Sequence, residues 1–183
     1  YRRERWDTPD GDFIDLDWTV EPSAPSGQGS ATAARAPLVV QFHGLEGSSR
    51  SPYALALMAS VRDAGWQGVV LHFRGCAGEL NRLPRAYHSG DSAEVGWILQ
   101  RMRARHRGAP LFAAGVSLGG NALLKWLGET GASARDVIDR AAAVSAPVDL
   151  MAAGAEGPDG VDVDLRHRAH PHHRVVEHRE EDD

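Results

Sequence analysis

Leu111-Phe112-Ala113-Ala114-Gly115-Val116-Ser117-Leu118-Gly119-Gly120-Asn121-Ala122-Leu123-Leu124-Lys125-Trp126-Leu127 is the stretch that decides the fold. Pro110 to Val116 reads as a strand, apolar from Leu111 onward. Leu118 to Leu127 reads as a helix, closed near Gly128 or Gly131. Between them, Gly115-Val116-Ser117-Leu118-Gly119 matches G-x-S-x-G, and the strand–turn–helix setting gives that short pattern its meaning. A serine at such a bend takes a strained conformation that small flanking residues permit. Gly115 and Gly119 remove the Cβ atoms that would collide with strand and helix, and Gly120 allows still closer packing. The hydroxyl then stands at the C-terminal edge of the sheet, where open α/β folds bind ligands. The helix N-terminus behind it favours developing negative charge. Ser117 is therefore the candidate nucleophile.

Upstream, Leu38 to Phe42 is another short apolar run, followed by His43-Gly44-Leu45-Glu46-Gly47. In this kind of fold the loop after that strand supplies one oxyanion donor and the residue after the nucleophile supplies the other. The backbone N–H groups of Leu45 and Leu118 are the candidates, and Gly44 and Gly47 let the loop turn inward. His43 precedes Ser117, whereas the catalytic order is Ser, acid, His; His43 is expected to orient the loop and stand at the substrate edge.

Other elements follow the same alternation. Ser51 and Pro52 start a helix whose stripe is Tyr53, Leu57, Met58 and Val61 and which Gly65 ends. Val69 to Phe73 reads as a strand. Asp91 with Glu94 reads as a capping box before a helix with Val95, Ile98, Leu99 and Met102 on one face. Ala141 to Ser145 is a further strand. Arg3 to Asp7 and Phe13 to Thr19, the latter with period-2 alternation, form a hairpin about the turn Pro9-Asp10-Gly11-Asp12. Residues 21–36 are rich in Pro, Ser, Gly and Ala and are expected to be a flexible loop. Strands alternating with helices imply an α/β fold with a mostly parallel sheet and an antiparallel N-terminal hairpin.

The 183 residues, 42% hydrophobic and 25% charged, allow one globular domain. A net charge of -5 gives no nucleic-acid surface. The basic residues are almost all Arg, with Lys125 the sole lysine. Cys76 is the single cysteine, so no disulfide framework exists and a cytoplasmic location is expected. No apolar run approaches the ~20 residues of a membrane helix. No metal or cofactor motif is present, so neither is expected. Oligomeric state is not legible.

Three stretches resemble the YheT-like branch of the α/β-hydrolases, related to the mammalian ABHD lipid hydrolases. They are Phe42-His43-Gly44-Leu45-Glu46-Gly47-Ser48-Ser49, the loop from Phe73-Arg74-Gly75-Cys76 through Asn81-Arg82-Leu83-Pro84-Arg85-Ala86-Tyr87-His88-Ser89-Gly90, and Gly115 to Asn121 with Leu123 to Glu129. The resemblance covers roughly residues 1 to 150. It implies the α/β-hydrolase fold and an esterase-like serine hydrolase with a Ser–Asp–His triad, acting on a small-molecule ester. Ser117 and, by position, the oxyanion loop carry over. The family's Asp and His lie beyond its equivalent of Leu150, and no match for them follows Val148-Asp149-Leu150. The C-terminal strands are therefore expected to be missing, with 1–150 a partial hydrolase domain and 151–183 a disordered or frame-shifted tail.

That tail holds His167, His170, His172, His173 and His178 and, with Asp149, the acids Asp159, Asp162 and Asp164. They satisfy the order Ser, Asp, His, but sparse apolar residues give no rigid packing to place a base against Ser117. Arg74, Arg82, Arg85, Tyr87 and His88 lie between a strand end and a helix start. They either touch substrate at the sheet edge or anchor a long loop, and anchoring is the favoured reading. Trp66, Trp97 and Trp126 read as packing residues and Cys76 as a buried thiol. The functional readings are a serine ester hydrolase, an inactive hydrolase fragment lacking the triad acid and base, or an acyltransferase on the same elbow.

Overall fold

Strand β3 (Leu38–Phe42) occupies the middle of the sheet: all of its residues are buried and both its edges are paired. Parallel strands lie on either side, β4 (Gln67–His72) and β5 (Leu111–Val116), so that Val40 faces Val69 and Ala113. β6 (Arg140–Val144) continues the parallel run beyond β5. On the far side of β4, β2 (Phe13–Trp18) pairs antiparallel with it and β1 (Arg2–Asp7) antiparallel with β2. The order is β1-β2-β4-β3-β5-β6. The computed structural model describes residues 1–19 and 36–149. All but the last residue of the expected loop 21–36, and the whole tail 151–183, lie outside them.

Helices cover both faces of this mostly parallel sheet, the arrangement that βαβ crossovers produce. Helix α1 (Pro52–Asp63) packs Ala54, Met58 and Val61 against Val39 and Val70. On the opposite face α2 (Ser92–Arg105) and α3 (Leu118–Thr130) bury Val95, Ile98, Leu99, Met102, Ala122, Leu123 and Trp126 against Leu38, Val40, Phe42, Leu71 and Leu111. A 3-10 turn (Gly131–Asp136) leads into β6. Trp66 departs from the packing expectation: it is 39% exposed, tilted against Phe112. Among the described residues no helix is long and apolar enough to cross a membrane.

The alternation in β2 does not mark a solvent face: all six residues are buried, the carboxylates beneath side chains from β1, β4 and the segment after β3. Its carboxylates are paired instead. Arg5 grips Asp15 with two bonds of 2.8 Å, and Arg3 grips Asp17 at 2.8 and 2.9 Å. Asp17 also accepts from Ser49 Oγ at 2.5 Å and His72 Nε2 at 2.9 Å. Burial pushes the Asp17 carboxyl up, but the bonds from Arg3, Ser49 and His72 outweigh it and hold the group well below the usual carboxylate range.

Neither expected helix cap forms as such. Ser51 makes no side-chain bond to its helix and instead accepts the N–H of Ser48 at 3.0 Å. The expected box at Asp91 and Glu94 is absent because arginines claim both carboxylates: Arg85 donates twice to Asp91 at 2.8 and 2.9 Å, and Arg74 Nε donates to Glu94 at 2.8 Å. A charge-assisted bond to a guanidinium is roughly twice as strong as a neutral one.

Arg74 is the hub of these contacts. Its guanidinium, 2% exposed, also reaches Asp12 at 3.0 Å and Asp10 at 2.9 Å in the hairpin turn. Asn81 and Arg82 bind the same turn, through Asp12 and the carbonyls of Phe13 and Gly11. The long loop after β4 is thereby tied to the N-terminal hairpin, as the anchoring reading supposed. Replacing Arg74 by Met should leave Asp12 and Glu94 buried without their cation, destabilising the fold by about 3–5 kcal/mol. Denaturant unfolding measures this, and a loss under about 1 kcal/mol would show that the network is dispensable.

Candidate active site

Ser117 sits between β5 and α3 with φ 51° and ψ -117°, a region that non-glycine residues seldom enter. Holding a residue there costs on the order of 1–3 kcal/mol, so the surroundings must over-determine it. Hydrogen bonds do part of this: Ser117 N–H donates to the Val144 carbonyl, and the Ser117 carbonyl accepts from Asn121 N–H, both at 2.9 Å. Close backbone packing does the rest. A Cβ at Gly115 would lie 2.6 Å from the Gly119 carbonyl oxygen, and one at Gly119 would lie 2.5 Å from the carbonyl oxygens of Phe42 and His43. A Cβ at Gly120 would lie 2.9 Å from that of Ala146. The first turn of α3 thus rests directly on the end of β3. Ser117 Oγ makes no capping bond to its helix, and the side chain is part-exposed at the sheet edge.

The loop from His43 to Gly47 runs beside it. A Cβ on Gly44 would stand 3.2 Å from Ser117 Cβ. Leu118, first residue of α3, and Leu45 carry the N–H groups expected to face a substrate oxygen. Neither meets an acceptor among the described residues. The helix dipole of α3 points its positive end at the same place.

His43 is completely buried, and its two nitrogens have opposite roles. Nδ1 lies 2.7 Å from the Gly44 carbonyl, which can only accept, so Nδ1 carries the proton. Nε2 accepts the N–H of Phe73 at 3.1 Å. This neutral tautomer ties the loop to the end of β4. Burial lowers its pKa to about 4, with the charge of His72 acting the same way and the bond to Gly44 opposing. His43 therefore has neither a free nitrogen nor the basicity to take a proton from Ser117.

The remaining expected edge residues divide. Arg74 lies in the buried network already described, its guanidinium bonded to Asp10, Asp12 and Glu94. Tyr87 stacks on Phe73 at 5.2 Å with an interplanar angle of 7°, and its oxygen accepts the N–H of Glu46 at 2.7 Å. Burial raises its phenol pKa. His88 is exposed, with Nδ1 donating to the Ser89 carbonyl at 2.8 Å. Cys76 is part-buried beside Tyr87, and burial raises its thiol pKa. Tyr53 was legible in sequence only as a packing residue of α1. Its hydroxyl accepts the N–H of Gly44 at 2.9 Å. Asp149 closes the described residues; the other tail acids and histidines lie outside them. No group of three His, Cys, Asp or Glu among the described residues could hold a metal ion.

A strained serine thus lies between β5 and α3, beside a glycine loop after β3 in a mixed six-stranded sheet, in the strand–turn–helix setting that the G-x-S-x-G pattern predicts. Residues 37–170 match the family model for the alpha/beta hydrolase fold, so the family-level likeness continues past Leu150, where the motif-by-motif resemblance ends. The chain belongs to the α/β-hydrolase fold family, in its YheT-like branch. It is 45% identical over 150 residues to YheT of Escherichia coli, covering 81% of this chain and 41% of that one. It is 34% identical over 131 residues to the phospholipase ABHD3 of Mus musculus, covering 72% of this chain and 31% of that one. The chain thus spans well under half the length of these relatives. The esterase Pf2001 of Pyrococcus furiosus shares the fold, with a TM-score of 0.61 at 17% identity over 85% of this chain and 55% of that one. So does a serine hydrolase homologue from Coxiella burnetii, with a TM-score of 0.59 at 14% identity over 81% of this chain and 64% of that one.

The lowered pKa of His43 has a consequence for stability. Between pH 6.5 and about 4 the unfolded imidazole binds a proton that the folded one refuses, so stability is present above pH 6.5 and lost as pH falls through that window. The loss from this group is about 3 kcal/mol, and His106, also lowered by burial, adds to the slope. An NMR titration should find His43 still neutral at pH 5 in the folded chain; a midpoint near 6.5 would contradict the assigned tautomer and burial.

Proposed function

We propose that this chain carries the nucleophile of a serine hydrolase acting on carboxylic esters, with Ser117 as the attacking group. The supporting observation is its strained backbone beside the Gly44 loop. Ser117 Oγ attacks the ester carbonyl carbon, and the carbonyl oxygen becomes an oxyanion between the N–H groups of Leu45 and Leu118. Each such donor is worth roughly 3 kcal/mol in the transition state. Collapse expels the alcohol and leaves an acyl group on Ser117. Water then attacks the acyl-enzyme and releases the acid. A base must take the Ser117 proton and pass it to the leaving alcohol. His43 is unsuited, and the family resemblance assigns this step to a histidine later in the chain, oriented by a carboxylate. Small-molecule esters, short-chain or lipid, are the substrate class, in keeping with relatives named as a phospholipase and a monoacylglycerol lipase.

Acyl transfer is the second reading, because an alcohol can replace water on the same intermediate. A relative in Saccharomyces cerevisiae, 39% identical over 119 residues, is named a medium-chain fatty acid ethyl ester synthase/esterase.

The full chain should react with a fluorophosphonate probe and hydrolyse a short p-nitrophenyl ester. Ser117→Ala should abolish labelling and lower turnover by at least about a thousandfold. Labelling that survives this substitution removes Ser117 from the mechanism. An unlabelled, inactive wild-type chain supports the reading as a catalytically inactive fragment.

A further inference from the structure

The oxyanion loop offers four successive backbone N–H groups, from Gly44 to Gly47, and three of them are already engaged. Gly44 N–H donates to Tyr53 Oη at 2.9 Å, Glu46 N–H to Tyr87 Oη at 2.7 Å, and Gly47 N–H to the Gly44 carbonyl at 3.0 Å. Leu45 N–H alone meets no acceptor among the described residues. We infer that Tyr53 and Tyr87 are positioning residues which, by claiming the amides on either side of Leu45, select its N–H as the donor presented to a substrate oxygen. The effect on turnover rests on the proposed ester chemistry; the geometry does not.

Turning the Leu45 N–H rotates the peptide unit between Gly44 and Leu45, and the amides on either side of that unit, Gly44 N–H and Glu46 N–H, are both held. Glu46 has φ 52°, a conformation that persists in a non-glycine residue where its surroundings enforce it. Both phenols are braced. Tyr53 stands in the first turn of α1 against the cluster of Ala54, Met58 and Val39. Tyr87 lies flat on Phe73 and edge-on to His43 at 6.3 Å. Gly47 is part of the device, since a Cβ there would collide with the Tyr53 hydroxyl and lie 3.0 Å from His43 Cβ. Each phenol oxygen accepts a loop N–H, so Phe at either position keeps the ring packing and removes that restraint, together with the hydroxyl contact to Cys76 at Tyr87.

The test uses Tyr53→Phe, Tyr87→Phe and the double variant in the full chain. Amide hydrogen exchange should show Gly44 and Glu46 protected and Leu45 fast in the wild type. Tyr53→Phe should release Gly44, and Tyr87→Phe should release Glu46, by about tenfold in rate or more. With a p-nitrophenyl ester, each variant should lower kcat about tenfold with KM within about twofold, because a misaimed donor is felt in the transition state. Gly44 or Glu46 exchanging as fast as Leu45 in the wild type overturns the inference whether or not the chain is active. So does wild-type kcat in the double variant. Intact protection with no wild-type turnover would remove the ester reaction and leave the donor selection standing.

Discussion

Backbone lying in contact with backbone around Ser117 is the constraint on which the rest of the site depends. The start of α3 rests on the carbonyls that end β3, and the end of β5 rests on the first turn of α3, with no room for a side-chain carbon at Gly115 or Gly119. That approach drives Ser117 into positive φ, directs its hydroxyl to the sheet edge and brings the Gly44 loop alongside. Any two of these segments could separate to relieve the crowding, but the parallel pairing of β5 with β3 and β6 forbids it. The strain at the serine is thus held by the sheet rather than by local sequence.

The N-terminal hairpin contributes to the same edge by electrostatics. Its carboxylates Asp10, Asp12, Asp15 and Asp17 are matched with Arg74, Arg5, Arg3 and His72. Desolvating these charges is costly, and their mutual geometry offsets the cost without adding much net stability. What the network supplies is placement. Asp17 holds Ser49, at the far end of the segment that begins at His43, and His72, beside His43. Arg74 and Asn81 hold the long loop that carries Tyr87. Ser117 and the Gly44 loop therefore follow hydrophobically packed strands, while Tyr53 and Tyr87 brace the loop by ring packing and one hydrogen bond each, and ion pairs hold the segment that carries Tyr87.

Much of this was legible in the linear sequence because it depends on local chemistry. The G-x-S-x-G bend, the alternation of strands and helices, the loop after β3 and the buried faces of α1 to α3 follow from spacing and residue size. So did the exclusion of His43 as a base, which rests on chain order. Where local rules failed, a distant partner had changed the balance. Asp91 and Glu94 make a good capping box until Arg85 and Arg74 compete for them. The polar positions Asp15 and Asp17 of β2 are buried because Arg5, Arg3, Ser49 and His72 gather on them.

By itself, then, the sequence determined that a serine stands at a strand-to-helix bend in an α/β-hydrolase sheet, since that outcome depends on residues a few positions apart. Tertiary structure alone decided which amide of the loop after β3 is left unclaimed, which tautomer His43 adopts, and that Arg74 is buried among Asp10, Asp12 and Glu94. Those features join residues 30 to 64 positions apart through His43 to Phe73, Glu46 to Tyr87 and Asp10 to Arg74. No spacing rule encodes such contacts, because hydrogen bonds and ion pairs depend on distances that only the folded sheet sets.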